Sequence, residues 1–366
     1  MEFTSVNKTF EASFKKFWDR PAISNYQGVT LHYRDIASKI EKLHIMFEEC
    51  GLEKGDKVAL CSRNQANWAV AFLSAMTYGA VPVPLLHEFK SSNIHHLVNH
   101  SEAKILFVDD VIWEGITETE MPALQAIIQV NRFKLLYASD PKISDAREHL
   151  NELFGKKFPT EFNRDCINYY EDKPDELAII NYTSGTSGFS KGVMIPYRAI
   201  ASNLEFGAQV LPGLDHTKSV VSMLPSAHMY GLMFELLYEL SVGAHVHFLS
   251  RVPSPKIIMQ ALSEVKPYVI IAVPLIDESE VISIIDEWQT RTGLSLKIDK
   301  IYDIHQRDVN NYMYRDADGK IHTKGEAVGY YECWENPLEA DSYNAKVPLI
   351  IQYCIVEHFM NGIKQI

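Results

Sequence analysis

Long apolar runs are scarce in this 366-residue chain: none approaches the length of a membrane span, so no transmembrane segment is expected. The first 17 residues carry Glu2 and Glu11 and have no apolar centre of the kind a signal peptide needs. Cysteine is sparse as well. Cys50, Cys61, Cys166, Cys333 and Cys354 are scattered without CxxC spacing, which argues against a disulfide framework or a zinc knuckle and makes a reduced, cytoplasmic setting the expectation. Positive charge is in deficit, 35 Lys and Arg against 47 Asp and Glu, and the net charge of −12 disfavours bulk nucleic-acid binding, although a local basic groove stays open. Internal repeats and low-complexity tracts are absent. What remains, 46% hydrophobic and 22% charged, suffices to bury a sizeable core and could hold two domains.

The apolar residues are arranged as short Val/Ile-rich runs alternating with helical patterns. The runs are 104–108, 126–130, 178–180, 219–222, 244–248 and 269–273. Each has the length of a buried strand, and the intervening helical spacing predicts an α/β fold with crossover helices on mixed sheets. Trp68, Phe72, Ala75, Met76 and Gly79 recur at helical spacing, predicting one apolar stripe and a glycine stop. Val81-Pro82-Val83-Pro84 reads as a strand edge or end, because proline donates nothing to a ladder. Ser254 is placed to cap a helix with Pro255 at its first position, and Pro267 to end it. His245 and His247 alternate along a strand; with no third ligand in view, a half-exposed strand face is the better account of them than a metal pair.

Directly after the apolar run Leu177–Ile180 comes Tyr182-Thr183-Ser184-Gly185-Thr186-Ser187-Gly188-Phe189-Ser190-Lys191-Gly192. Glycines let backbone approach phosphate oxygens, successive amides form an anion-binding concavity, hydroxyls donate and a lysine adds a point charge. Neither the Walker spacing nor GxGxxG fits, since Lys191 lies three after Gly188 and no glycine stands two before Gly188. A plain Ser/Thr/Gly turn is the alternative. The fixed lysine and the preceding strand favour a polyphosphate loop. Farther on, Leu224-Pro225-Ser226-Ala227-His228-Met229-Tyr230-Gly231 lies between a strand and an apolar helix expected over Leu232–Leu240. That puts His228 at a strand's carboxyl end, where open α/β sheets bind ligands.

The loop resembles the phosphate-binding signature of the adenylate-forming superfamily, which includes acyl-CoA synthetases, luciferases and peptide synthetase adenylation domains. Asp19–Ile23, Gly55–Leu60, Trp68–Leu85, Leu224–Gly231, Pro253-Ser254-Pro255 and Val273-Pro274-Leu275 resemble other segments of that family in order, the last two in its long-chain fatty acid branch. The resemblance covers residues 1 to 275 and implies part of the N-terminal domain of the adenylate-forming fold. It implies that Thr183, Ser184, Gly185, Thr186, Ser187, Gly188 and Lys191 hold the β- and γ-phosphates of ATP. His228 would stand near the carboxylate and α-phosphate and gate an acyl tunnel. ATP, Mg²⁺ with no ligand residue identified, coenzyme A and a fatty acid or other carboxylate are the implied cofactor and substrates.

Past Leu275 the pattern stops. The family's adenine loop, Thr-Glu pair, ribose aspartate, hinge and lysine-bearing C-terminal domain are not recognisable: Gly329–Glu332 has no threonine before its acid, and Lys324 interrupts the stretch His322–Glu326. Residues 276–366 carry 16 acidic and 9 basic side chains and read as an unrelated small α+β segment. Arg291–Leu294, Gln306–Tyr312, Asp318-Gly319-Lys320 and Lys324-Gly325 are similar to a piece of phage-type family B DNA polymerases lying after the catalytic aspartates, so no polymerase chemistry follows. A hairpin around Asp316–Gly319 and a helix from Val347 to Met360 are expected there. The expected function is an ATP-dependent acyl-CoA ligase, truncated and weakly active or inactive as written. A nucleic-acid enzyme fragment and a non-catalytic acyl- or nucleotide-binding protein are the alternatives.

Overall fold

The computed structural model describes residues 3–183, 191–249 and 255–272, together with short strands at 301–303, 314–315, 321–322 and 354–356. Its first eleven strands are β1 (Pro21–Asn25), β2 (Thr30–His32), β3 (Lys57–Cys61), β4 (Val81–Leu85), β5 (Ala103–Val108), β6 (Ala126–Gln129), β7 (Lys134–Ala138), β8 (Leu177–Thr183), β9 (Lys191–Pro196), β10 (Ser219–Ser222) and β11 (His245–Phe248). They form a five-stranded sheet in the order β4-β3-β5-β6-β7, a four-stranded sheet in the order β10-β11-β1-β2, and the hairpin β8-β9. β3 to β6 run parallel, as do β10, β11 and β1, whereas β7 and β2 close their sheets in the antiparallel sense. Parallel strands need crossover connections, which the helices supply, so the alternating sequence pattern translates directly into this layering.

β4 lies at the sheet edge, with Pro82 opposite Val58 and Pro84 opposite Leu60. Two prolines of the same parity leave their missing donors on the outward side, where no ladder is built. β8 runs alongside that edge without joining its ladder.

The Ala66–Tyr78 helix differs from the single apolar stripe expected. Every residue from Trp68 to Thr77 is buried, so the helix threads the core instead of lying on it. Trp68 and Phe72 stack with ring centroids 5.4 Å apart; burying two such side chains contributes roughly 1.5–3 kcal/mol each. The helix stops at Gly79, whose φ of 88° suits glycine and where an added Cβ would lie 2.9 Å from the Tyr170 ring. At the start of the chain the Val6–Lys16 helix is capped from far away. The buried Asp172 carboxylate accepts from Ser5 Oγ at 2.7 Å, Val6 N at 3.0 Å and Asn7 N at 2.8 Å. This ties the chain start to the segment leading into β8.

The apolar stretch 232–240 is helical but not uniformly so. A short α-helix, Met229–Leu232, passes into a π turn, Met233–Leu237, and then into the helix Tyr238–Val242. The Pro255–Val265 helix begins at the proline and ends before Pro267, as expected; Ser254 lies outside the described residues. Among the described residues of the run, 269–272, Ile271–Ala272 forms a strand, pairing with Cys354–Val356.

In the tail, Tyr314–Arg315 pairs antiparallel with Ile321–His322, as the expected hairpin requires. Of the stretch Val347 to Met360, where a helix is expected, the described residues Cys354–Val356 form a strand, which also pairs with Ile301–Asp303; the rest of that stretch lies outside the described residues. Its β-branched Ile355 and Val356 suit a pleated, paired surface better than a helix.

Candidate functional site

The phosphate-type loop connects β8 to β9. Antiparallel pairing sets Thr183 opposite Lys191, so the loop starts and ends at one place. Ser184, Gly185, Thr186, Ser187 and Gly188 lie outside the described residues, and Thr183 and Lys191 are placed by their backbone register. The hairpin below the loop is anchored by its side chains. The Tyr182 hydroxyl meets His100 Nδ1 at 2.7 Å, and Tyr182 is buried against the smaller of two core clusters.

His228 sits where the sequence puts it, past the end of β10 and at the cap position of the Met229–Leu232 helix. Its loop is held at several backbone groups. Asn64 grips it twice, Nδ2 donating to Leu224 O at 2.6 Å and Oδ1 accepting from Ser226 N at 2.8 Å. His228 N donates to Pro225 O at 2.9 Å. Gly231 packs so closely underneath that an added Cβ would lie 2.9 Å from Pro225 O.

One bond joins the two motifs. Asn181, two residues before Thr183, donates from Nδ2 to Ala227 O at 2.7 Å in a buried contact. The hairpin that carries the phosphate-type loop is thereby fixed to the residue next to His228. A buried side-chain bond of this kind leaves an orphaned acceptor if it is removed, at a cost of about 1–3 kcal/mol.

His228 is exposed at its rim, yet the protein around it desolvates the imidazole and draws its pKa below the ordinary histidine range, with Glu88 pulling the other way. At neutral pH the ring is therefore uncharged, with one N–H to give and one lone pair to accept. Beside the loop lies a narrow apolar pocket formed by Phe206, Val210, Leu211, Tyr230, Phe234 and Ile271, with Val269. On its other side Asn64 also lines a polar cleft of about 320 Å³ at the carboxyl ends of β3, β5 and β6, shared with Arg63, Asp109 and Asn131.

Glu235, on the π turn, was not singled out by motif. Fully buried, its carboxylate accepts from Ser222 Oγ, Met223 N and Leu224 N, and burial pushes its pKa up to about 8 against the pull of those donors. The available signal was compositional: Glu235 and Glu239, four residues apart, are the two charges in an otherwise apolar helical stretch. Asn64 and Asn181 left no such trace.

The His245–His247 pair behaves as a strand face. Val246 and Phe248 point into the core while the two rings, 4.0 Å apart, are half-buried and held neutral by desolvation. His245 Nε2 contacts Ser24 Oγ at 2.8 Å. Among the described residues no group of three or more His, Cys, Asp or Glu side chains converges as a metal site, so no Mg²⁺ ligand is assigned. Also among them, no helix is long and apolar enough to cross a membrane, and Cys50, Cys61 and Cys166 are free thiols.

A family model described as "AMP-binding enzyme" matches residues 10–280. Among curated proteins, the chain is 23% identical over 278 residues to the long-chain-fatty-acid–CoA ligase ACSBG2 of Homo sapiens, an alignment covering 75% of this chain and 41% of that protein. Among solved structures it is similar to a red-emitting luciferase from Phrixothrix hirtus, with a TM-score of 0.61 and 18% identity, covering 72% of this chain and 49% of the luciferase. It is also similar to a long-chain-fatty-acid–CoA ligase of Archaeoglobus fulgidus, with a TM-score of 0.57 and 20% identity over 72% of this chain and 50% of that one. The fold is thus that of the N-terminal part of these enzymes. The chain spans less than half the length of the curated relatives it matches.

Proposed function

The chain belongs to the AMP-binding enzyme family, and from that premise we propose that it serves ATP-dependent activation of a carboxylate, a long-chain fatty acid in the first instance. A carboxylate oxygen attacks the α-phosphorus of ATP, the bond to the bridging oxygen breaks, and pyrophosphate leaves with the electron pair. Capture of the acyl-adenylate by the thiolate of coenzyme A then forms the thioester and releases AMP. The observation that carries the reading is the Asn181–Ala227 bond, which sets the polyphosphate-type hairpin and the His228 loop side by side next to an apolar pocket.

In this scheme Thr183, Ser184, Gly185, Thr186, Ser187, Gly188 and Lys191 hold the β- and γ-phosphates. Their work is positioning and charge neutralisation, the main demands of phosphoryl chemistry. A bound Mg²⁺ supplies further neutralisation of phosphate charge. His228, uncharged at neutral pH, gives a hydrogen bond to a carboxylate or phosphate oxygen from the loop that also carries Tyr230, one wall of the narrow apolar pocket. We assign residues 1–275 to this incomplete ligase-like domain and 276–366 to a tail whose strand Cys354–Val356 pairs with Ile271–Ala272, in a cytoplasmic protein.

The reading is tested by fatty-acid-dependent exchange of pyrophosphate into ATP, and by calorimetric binding of ATP and of a long-chain fatty acid. Binding of both is expected, with exchange near background because the partners for adenine and ribose are not recognisable in this chain. Failure to bind either ligand would sink the proposal, and robust acyl-CoA formation would overturn the expectation of weak turnover.

A further inference from the structure

Glu235 is a buried acid whose partners carry no formal charge. Its Oε2 accepts from Ser222 Oγ at 2.9 Å and Leu224 N at 2.9 Å, and Met223 N lies 3.1 Å from both carboxylate oxygens. Burying a carboxyl without a cation is costly, and an apolar side chain among Met233, Phe234, Leu236 and Leu237 would avoid that cost. What an apolar residue could not do is satisfy the two backbone N–H groups that leave β10. The acid also lies on the π turn, where one extra residue per turn re-aims the side chains that follow.

Leu224 is where this matters. Its N–H is held by Glu235 and its carbonyl by Asn64 Nδ2, so the residue is gripped on both sides. From there the loop has little freedom left: Ser226 N is held by Asn64, Ala227 O by Asn181, and His228 N by Pro225 O. The same π turn carries Phe234, which lines the apolar pocket together with Tyr230. One element thus holds the histidine loop with its acid and walls the pocket with its aromatic ring.

We propose that Glu235 is a positioning residue for His228, fixing the histidine loop through Leu224 so that the imidazole keeps a set stance at the start of the Met229–Leu232 helix. Its importance for function rests on the reading that His228 serves carboxylate activation; its effect on the position of His228 does not.

The test uses Glu235→Gln, which keeps an acceptor at the same reach, and Glu235→Asp, which is one methylene short. Imidazole NMR signals are followed in the full chain, with His228 assigned by its loss in His228→Asn and with His44, held by Ser74 O and Thr77 Oγ1, and His149 as references on other elements. Binding of a fluorescent long-chain fatty acid is measured in parallel. In E235D the His228 signal moves, the His44 and His149 signals stay, and fatty-acid affinity falls about tenfold, the scale of one lost buried hydrogen bond. In E235Q both readouts stay close to wild type. An unmoved His228 signal in E235D, or a Gln variant as perturbed as the Asp variant, overturns the proposal. If E235D unfolds, as loss of the reference signals would reveal, Ser222→Ala decides: it removes one donor with little packing, so a His228 shift sustains the proposal and no shift overturns it. Absence of fatty-acid binding in the wild-type chain counts against carboxylate activation, while the NMR comparison still decides the role of Glu235.

Discussion

At the scale of single residues, the chemistry visible in sequence is the chemistry that is local in sequence. The run from Thr183 to Lys191 carries the proposal of an anion site because glycines, hydroxyls and a lysine must lie within one loop to work together. Lys191→Ala is expected to weaken binding of inorganic pyrophosphate about tenfold, by removing a charge-assisted contact; unchanged affinity by calorimetry would show that the lysine does not face phosphate. His228 was legible for the same reason. Asn64 and Asn181 were not, since their partners lie 160 and 46 residues away and a lone asparagine has no signature. Asn181→Ala should leave the Ala227 carbonyl without its donor and lower stability by about 1–3 kcal/mol. Urea unfolding measures this, and an unchanged midpoint would refute the junction between the two motifs.

At the scale of elements, periodicity identified helices and strands well and their surroundings poorly. The Trp68 spacing correctly marked a helix ending at Gly79, but spacing cannot tell whether a helix lies against a core or runs through one. That depends on what packs on its far side, here residues distant in sequence. The prolines of β4 correctly marked an edge because a missing donor is a property of the residue itself. The π turn and the strand Cys354–Val356 escaped, the first because one inserted residue hardly alters an apolar pattern, the second because a short apolar run suits either conformation until a partner strand is present. Gly79→Ala tests the stop directly. A left-handed φ of 88° and a Tyr170 carbon 2.9 Å from the new Cβ should cost about 2 kcal/mol, and a variant as stable as wild type in urea would contradict that geometry.

At the scale of the whole molecule, buried titratable groups set the dependence of stability on pH. Burial raises Glu41 to about 7, Glu235 to about 8 and Glu239 well above its ordinary value of 4.5. Burial also depresses His44 to about 3, His245 to about 3 and His247 to about 4 from 6.5. A carboxyl with a raised folded pKa stabilises fully below 4.5 and loses that contribution as pH climbs to its folded value. A histidine with a depressed folded pKa does the reverse, losing its contribution as pH falls below 6.5. Between about 4.5 and 6.5 the two sets oppose each other, so stability is expected to be nearly flat there, to fall from about 6.5 to 8, and to fall again below about 4.5. Thermal midpoints across this range provide the check, and Glu41→Gln should flatten the alkaline decline; a midpoint that climbs from pH 6.5 to 8 would contradict it. The chain also spans less than half the length of the curated relatives it matches.

The sequence by itself determined the family, the α/β alternation and the placement of His228 past a strand end, and it is the source of the proposal that the Thr183–Lys191 loop holds phosphate. Each of these depends on residues that are neighbours along the chain. Only the tertiary structure decided that the loop's hairpin and the histidine's loop meet, through Asn181 and Ala227, and that Asn64 and Glu235 hold Leu224 from opposite sides. Those contacts join segments that nothing in the local pattern connects, because a buried polar bond is specified by which backbone groups packing would otherwise leave unpaired, and that is settled only once the core has closed around them.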